Sequence, residues 1–118
     1  MSVNSFIRGV AVAGFKKVNP INYSTDVVAS RTINTNDLQT LVEYNSAIAG
    51  SFTIPTDTVL GIAGNSNNFF YLFQKGVGVM SIIAGAGVTL NVPAGFPASV
   101  QYTTQYVHRV GPNTWAIK

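Results

Sequence analysis

The chain has 118 residues, no cysteine, 47% hydrophobic residues, only 9% charged residues and a formal net charge of +3. That length bounds it to one domain, able to bury roughly two-thirds of its unfolded surface. The composition excludes disulfides, thiolate zinc sites and thiol nucleophiles, and no apolar run approaches the roughly 20 residues that span a bilayer.

Charged residues fall well below the roughly 25% of an ordinary globular chain. The surface is therefore built from Asn, Thr, Ser and Gly, as suits a chain that hides part of itself in an assembly. The net charge is unevenly placed. Arg8, Lys16 and Lys17 precede the first acidic residue, Asp26, and the four later cations balance the four carboxylates. Residues 1–22 read as an extended, basic and apolar arm that docks on an acidic surface through Phe6, Ile7, Arg8, Val10, Val12, Phe15, Lys16 and Lys17. The start superficially resembles a signal peptide, but Val10 to Phe15 is too short and lysines follow it. Asn19-Pro20-Ile21-Asn22 forms the joint, since proline fixes its own φ and pushes Asn19 out of the helical region.

Residues 23–118 read as an all-β domain. Candidate strands run over Thr25–Ile33, Leu41–Asn45, Ser51–Ile54, Phe69–Gln74, Val79–Ile83, Val88–Val92, Val100–Val110 and Thr114–Lys118. Their regular spacing and glycine-bearing turns predict an antiparallel β-sandwich or a jelly-roll-like fold. Only Asn36–Leu41 suits a helical turn, capped by Asn36 or Asp37. No internal repeat is evident. Gly76-Val77-Gly78 and Gly85-Ala86-Gly87 lack the third glycine of a dinucleotide fingerprint and read as hairpin turns or bulges.

Strand facing carries a functional hint. In Phe69–Phe73 both alternating sets are apolar, so one side faces the core and the other needs a cover. Phe70, Leu72 and Trp115 are accordingly expected at a subunit interface, with core packing as the alternative. In the penultimate strand Tyr102, Thr104, Tyr106, His108 and Val110 are expected to point inward, leaving Gln105 and Arg109 to solvent or a partner.

No spacing assembles a catalytic site. His108 is the only histidine and reads as a packed strand residue. The carboxylates are scattered, and Asp57 reads as a turn stabiliser. One histidine and no ordered acidic loop fall short of zinc or calcium spacing, so no enzyme, cofactor or metal is expected. Nucleic acid and membrane are not expected as partners either, because the cations lack interleaved aromatics or a motif. Tyr71, Tyr102, Tyr106 and Trp115 are candidates for a sugar-stacking platform, although large aromatics more often anchor cores and interfaces.

Phe52-Thr53-Ile54-Pro55, Phe73 to Val79 (FQKGVGV), Ala86-Gly87-Val88-Thr89-Leu90 and Val110 to Trp115 (VGPNTW) follow one another in this order. Each motif is weak alone, but the ordered set resembles a module of tailed-bacteriophage tail fibres and virion appendages, over about Thr32 to Lys118. The arm has no counterpart in that module, and the Gly61–Asn68 loop is longer and more polar. The resemblance implies a non-enzymatic structural protein of a virion, made in the host cytoplasm, with a trimer favoured. Because the module usually follows a trimeric shaft and none is visible here, a capsid decoration (cement) protein seated on the major capsid protein is the first expectation. A host-recognition module of a short tail fibre or spike, using Asn65, Ser66, Asn67 and Asn68 as a receptor loop, is the second.

Overall fold

The computed structural model describes residues 22–23, 29–64 and 66–118, and the docking-arm residues fall outside them. The strands are β1 (Asn22–Tyr23), β2 (Arg31–Thr32), β3 (Thr40–Tyr44), β4 (Gly50–Ile54), β5 (Phe69–Gln74), β6 (Met80–Ala84), β7 (Thr89–Asn91), β8 (Thr104–Gly111) and β9 (Thr114–Ile117). Most match the predicted runs closely. The run predicted from Val100 instead begins at Thr104, because Tyr102 adopts a φ of 68° and breaks the extended path. The fold is all-β, in two sheets. One has the order β1-β3-β5-β8-β9-β7, and the other has β2-β4-β6.

Their pairing differs from the antiparallel expectation. Five of the seven strand pairs among the described residues are parallel, and only β5–β8 and β8–β9 are antiparallel. From β1 to β6 the chain alternates between the sheets, so each pass lays a strand beside the previous one of its own sheet. Leu41 pairs with Tyr71 and Ile54 with Ala84, and every pair between them keeps the same offset of 30 residues. A structural repeat thus exists without a sequence repeat, since backbone pairing constrains spacing and face but not side-chain identity.

The Gly76–Gly78 and Gly85–Gly87 turns are corners of these coils and not hairpins. A Cβ at Gly76 would fall within 3.0 Å of the Ser46 backbone, and one at Gly78 within 3.0 Å of the Ile48 backbone. The later corner lies directly on the earlier one, and only glycine permits that approach. Hydrogen bonds tie the layers: Lys75 N–H donates to the Tyr44 carbonyl at 2.9 Å and Gly78 N–H to the Ser46 carbonyl at 2.8 Å.

Between the sheets lie Ile33, Val42, Tyr44, Phe52, Ile54, Phe70, Leu72, Met80, Val107 and Trp115, each almost without exposure. Each such large side chain contributes about 1.5–3 kcal/mol by leaving water. Phe70, Leu72 and Trp115 therefore pack inside their own chain, and none is available to a second subunit. The expectation for β8 is reversed as well. Gln105, Val107 and Arg109 face inward, whereas Thr104 and Val110 are exposed and Tyr106 and His108 are half-buried. Alternation allowed either assignment, and the ion pair described below decides it.

Two short helical elements hold the corners. Asn34 caps a 3-10 turn at Thr35–Asp37 in a capping box, with Asp37 reaching back to the Asn34 N–H at 2.9 Å. The cap is thus two residues before Asn36, the nearer of the two predicted caps. The helix α1 (Asp57–Leu60), which no sequence signal announced, ends at Gly61 with a φ of 70° and buries Leu60.

Candidate functional site

Arg109 projects from β8 into the space between the sheets, where its side chain is 2% exposed. Asp57 opens α1 and meets it: Arg109 Nη2 donates to Asp57 Oδ2 at 2.7 Å and Nε to Oδ1 at 3.3 Å. Nη1 also donates to the Ser66 carbonyl at 2.7 Å, and Nη2 to the Gly64 carbonyl at 2.9 Å. Asp57 accepts the Asn113 N–H at 3.0 Å, while Asn113 Oδ1 accepts the Asp57 N–H at 2.7 Å. The Arg109 hydrogen bond, aided by the Asn113 N–H and the guanidinium charge, outweighs burial and holds the Asp57 carboxyl below its ordinary range.

This clamp fixes the rim of a cleft of about 310 Å³ lined by Gly64, Ser66, Asn67, Arg109 and the Val110–Pro112 turn. Asn67 is exposed there, Ser66 and Asn68 are half-buried, and Asn65 lies outside the described residues. The Asn68 carbonyl accepts the Arg109 N–H at 2.8 Å, so its backbone serves the fold. Four of the guanidinium donor contacts are engaged within the chain, leaving Arg109 a support for the rim and a poor anion ligand. Asp57 does stabilise a turn as expected, but the turn is Pro112–Asn113, far away in sequence.

A second surface lies on the outer face of the six-stranded sheet. Phe69 and Tyr71 from β5 meet Tyr106 from β8 with ring centroids 5.9 and 5.1 Å away, and His108 stacks on Tyr106 at 4.9 Å and 16°. Lys118 Nζ lies 5.9 Å from the Tyr106 centroid. Two of the four sugar-platform candidates, Tyr71 and Tyr106, are therefore adjacent. Trp115 is in the core. Tyr102 is 69% exposed at a separate cleft with Asn45, Ala47, Lys75 and Val77. That cleft is anchored to the coils, because Tyr102 N–H donates to the Gln74 carbonyl at 2.6 Å and the Ser99 hydroxyl bonds the Gln74 side chain.

Among the described residues no three of His, Asp and Glu gather in a group that could hold a metal ion, and no helix is long and apolar enough to cross a membrane. Asp37 pairs with Arg31 at 2.6 Å, Glu43 with Lys75 at 3.8 Å and Asp57 with Arg109 at 2.7 Å. Every acidic side chain among the described residues therefore has a cation beside it within the domain. No family model, no curated protein and no solved structure matches this chain.

Proposed function

We propose that this chain is a non-enzymatic structural protein of a tailed-phage virion, a capsid decoration protein seated on the shell through its basic arm. The observation that carries the docking half of this reading is the internal pairing of Asp37, Glu43 and Asp57. Each acidic side chain among the described residues already has a cation beside it, which supports a partner for Arg8, Lys16 and Lys17 on another molecule. The virion half rests on the ordered motifs, which fall on positions that the coil needs: Gly76 and Gly78 where corners stack, and Asn113 and Trp115 where the last turn closes the core. A subunit that binds only the assembled shell stabilises it by mass action. The outer aromatic face is the surface this reading offers to sister subunits, with a trimer favoured.

The test is co-sedimentation with purified shells. A triple variant Arg8→Ala, Lys16→Ala, Lys17→Ala is expected to remain folded and stay in the supernatant. Undiminished pelleting of that variant would sink the docking reading.

A second reading, a host-recognition module of a short tail fibre or spike, draws on the clamped loop. Its rim is held by two hydrogen bonds from Arg109 while Asn67 stays exposed, the arrangement of a presented contact residue. Glycan binding abolished by Asn67→Ala with Asn68→Ala, in protein of unchanged melting temperature, favours this reading over decoration.

A further inference from the structure

The two sheets do not end together. Among the described residues the larger sheet continues beyond β5 into β8 and β9, whereas the smaller one stops at β6. Gly50 N–H donates to the Val79 carbonyl at 3.0 Å, and Gly85 N–H to the Ile54 carbonyl at 2.9 Å. These bonds fix the phase of the parallel ladder: Val79, Ser81, Ile83 and Gly85 turn their main-chain groups to β4. The N–H and C=O groups of Met80, Ile82 and Ala84 therefore point out of the sheet, at an edge that no other described strand pairs with.

Beside that edge runs a groove of about 160 Å³. Its lining includes Met80 and Ile82 of β6, Val92, Phe96 and Pro97 of the loop after β7, and Gln105 and Ile117. No charged residue lines it. Gln105 is 8% exposed, and its side-chain carbonyl oxygen is buried without a hydrogen-bond donor. A buried acceptor left unpaired costs free energy that a partner supplying a donor recovers. An unpaired strand edge next to an uncharged groove with an unsatisfied amide is a site built for an added strand.

We infer that this edge receives an extended segment from a second copy of the chain, namely Gly9 to Phe15. The argument is one of chemistry and of available chain. Twenty-one residues precede β1, and Gly9-Val10-Ala11-Val12-Ala13-Gly14-Phe15 is their uncharged stretch, bracketed by Arg8 and Lys16. Its small alternating side chains suit a narrow, uncharged groove, and the flanking cations stop the pairing at both ends. The chain reaches β1 at one side of the stack, and β6 closes the smaller sheet at the other. A donor from a neighbouring copy fits this placement and leaves Arg8, Lys16 and Lys17 at the rim for the shell. The inference rests on reading residues 1–22 as an arm, and it stands or falls without any shell present.

The absence of cysteine from the chain gives a clean test with full-length protein. Single-cysteine variants Ala11→Cys, Val12→Cys and Ala13→Cys are each mixed with Ser81→Cys and oxidised, with Val59→Cys on α1 as the control partner. The expected result is a disulfide heterodimer with Ser81→Cys that forms at residues 11 and 13 but not 12, or at 12 alone. Val59→Cys is expected to give none. Light scattering on the full chain is expected to show an oligomer that Val12→Pro converts to monomer, with an unchanged circular dichroism spectrum. Equal cross-linking at all three positions, cross-linking no better than the control, or a native chain that is already monomeric would overturn the inference. Failure of shell binding with cross-linking intact would overturn the decoration reading alone.

Discussion

Arg109 and Asp57 illustrate what a single residue position hides. On β8 the alternation fixes only that Arg109 and Tyr106 face opposite ways, and the sequence reading put the charged face outside. The structure turns it inward because Asp57, 52 residues earlier, meets the guanidinium there with the Ser66 and Gly64 carbonyls. Nothing local to either residue signals that pairing. Asp57→Ala strands a buried guanidinium, and urea denaturation at pH 7 is expected to show a loss of about 3–5 kcal/mol. The pH dependence follows from the lowered Asp57 carboxyl. Its stabilisation is complete above the unfolded-state value of about 3.9 and is lost as pH falls through the lower folded value. Native protein is therefore expected to lose stability steeply on acidification below about pH 4, and Asp57→Asn to flatten that slope.

At the scale of elements, the strands were legible and their partners were not. β-branched and aromatic runs between glycine-bearing turns located most strands within a residue or two. A glycine turn, however, reads alike whether it folds a hairpin or steps between sheets, and the 30-residue offset is invisible where Leu41 lies on Tyr71 and Glu43 on Phe73. Corner stacking makes sharp predictions. Gly76→Ala and Gly78→Ala drive a methyl group into rigid backbone and are expected to cost at least about 1–3 kcal/mol each. Gly64→Ala, with open space around its Cβ position, is expected to change stability by less than about 0.5 kcal/mol. One glycine inserted between Ala47 and Ile48 breaks the match with the corner above and should lower the melting temperature markedly. The same insertion between the exposed Pro97 and Ala98 lengthens a loop, at less than about 0.6 kcal/mol. Thermal melts of the two insertions side by side check the stacked-corner account.

For the whole molecule, charge was the property best read in advance. The excess of three cations before Asp26 is a matter of sequence, and the structure adds that Asp37, Glu43 and Asp57 are each engaged inside the domain. The outward assignment of Phe70, Leu72 and Trp115 failed at this same scale. A strand apolar on both faces reads as covered on both, but in β5 Phe70 and Leu72 face the opposite sheet while Phe69 and Tyr71 stay half-buried beside Tyr106 of β8. If the arm's cations hold the chain on a shell, retention is expected to weaken as sodium chloride rises from about 0.05 to about 0.5 M, because the screening length is already near 10 Å at 0.1 M. Pelleting at graded salt measures it, and a flat response would exclude an electrostatic anchor.

The unpaired edge of β6 also governs how the protein behaves in a test tube. Met80–Ala84 contains no lysine, no proline and no charge, and Ile83 is 45% exposed on it. Those are the devices by which natural sheets keep strangers from pairing with them. A preparation whose edges stand empty is therefore expected to turn turbid on warming well before the domain unfolds. Ile83→Lys should keep it clear at the same concentration and temperature. On the inference drawn above, the stretch that would complete an assembly is the one expected to cloud the solution when it stands empty.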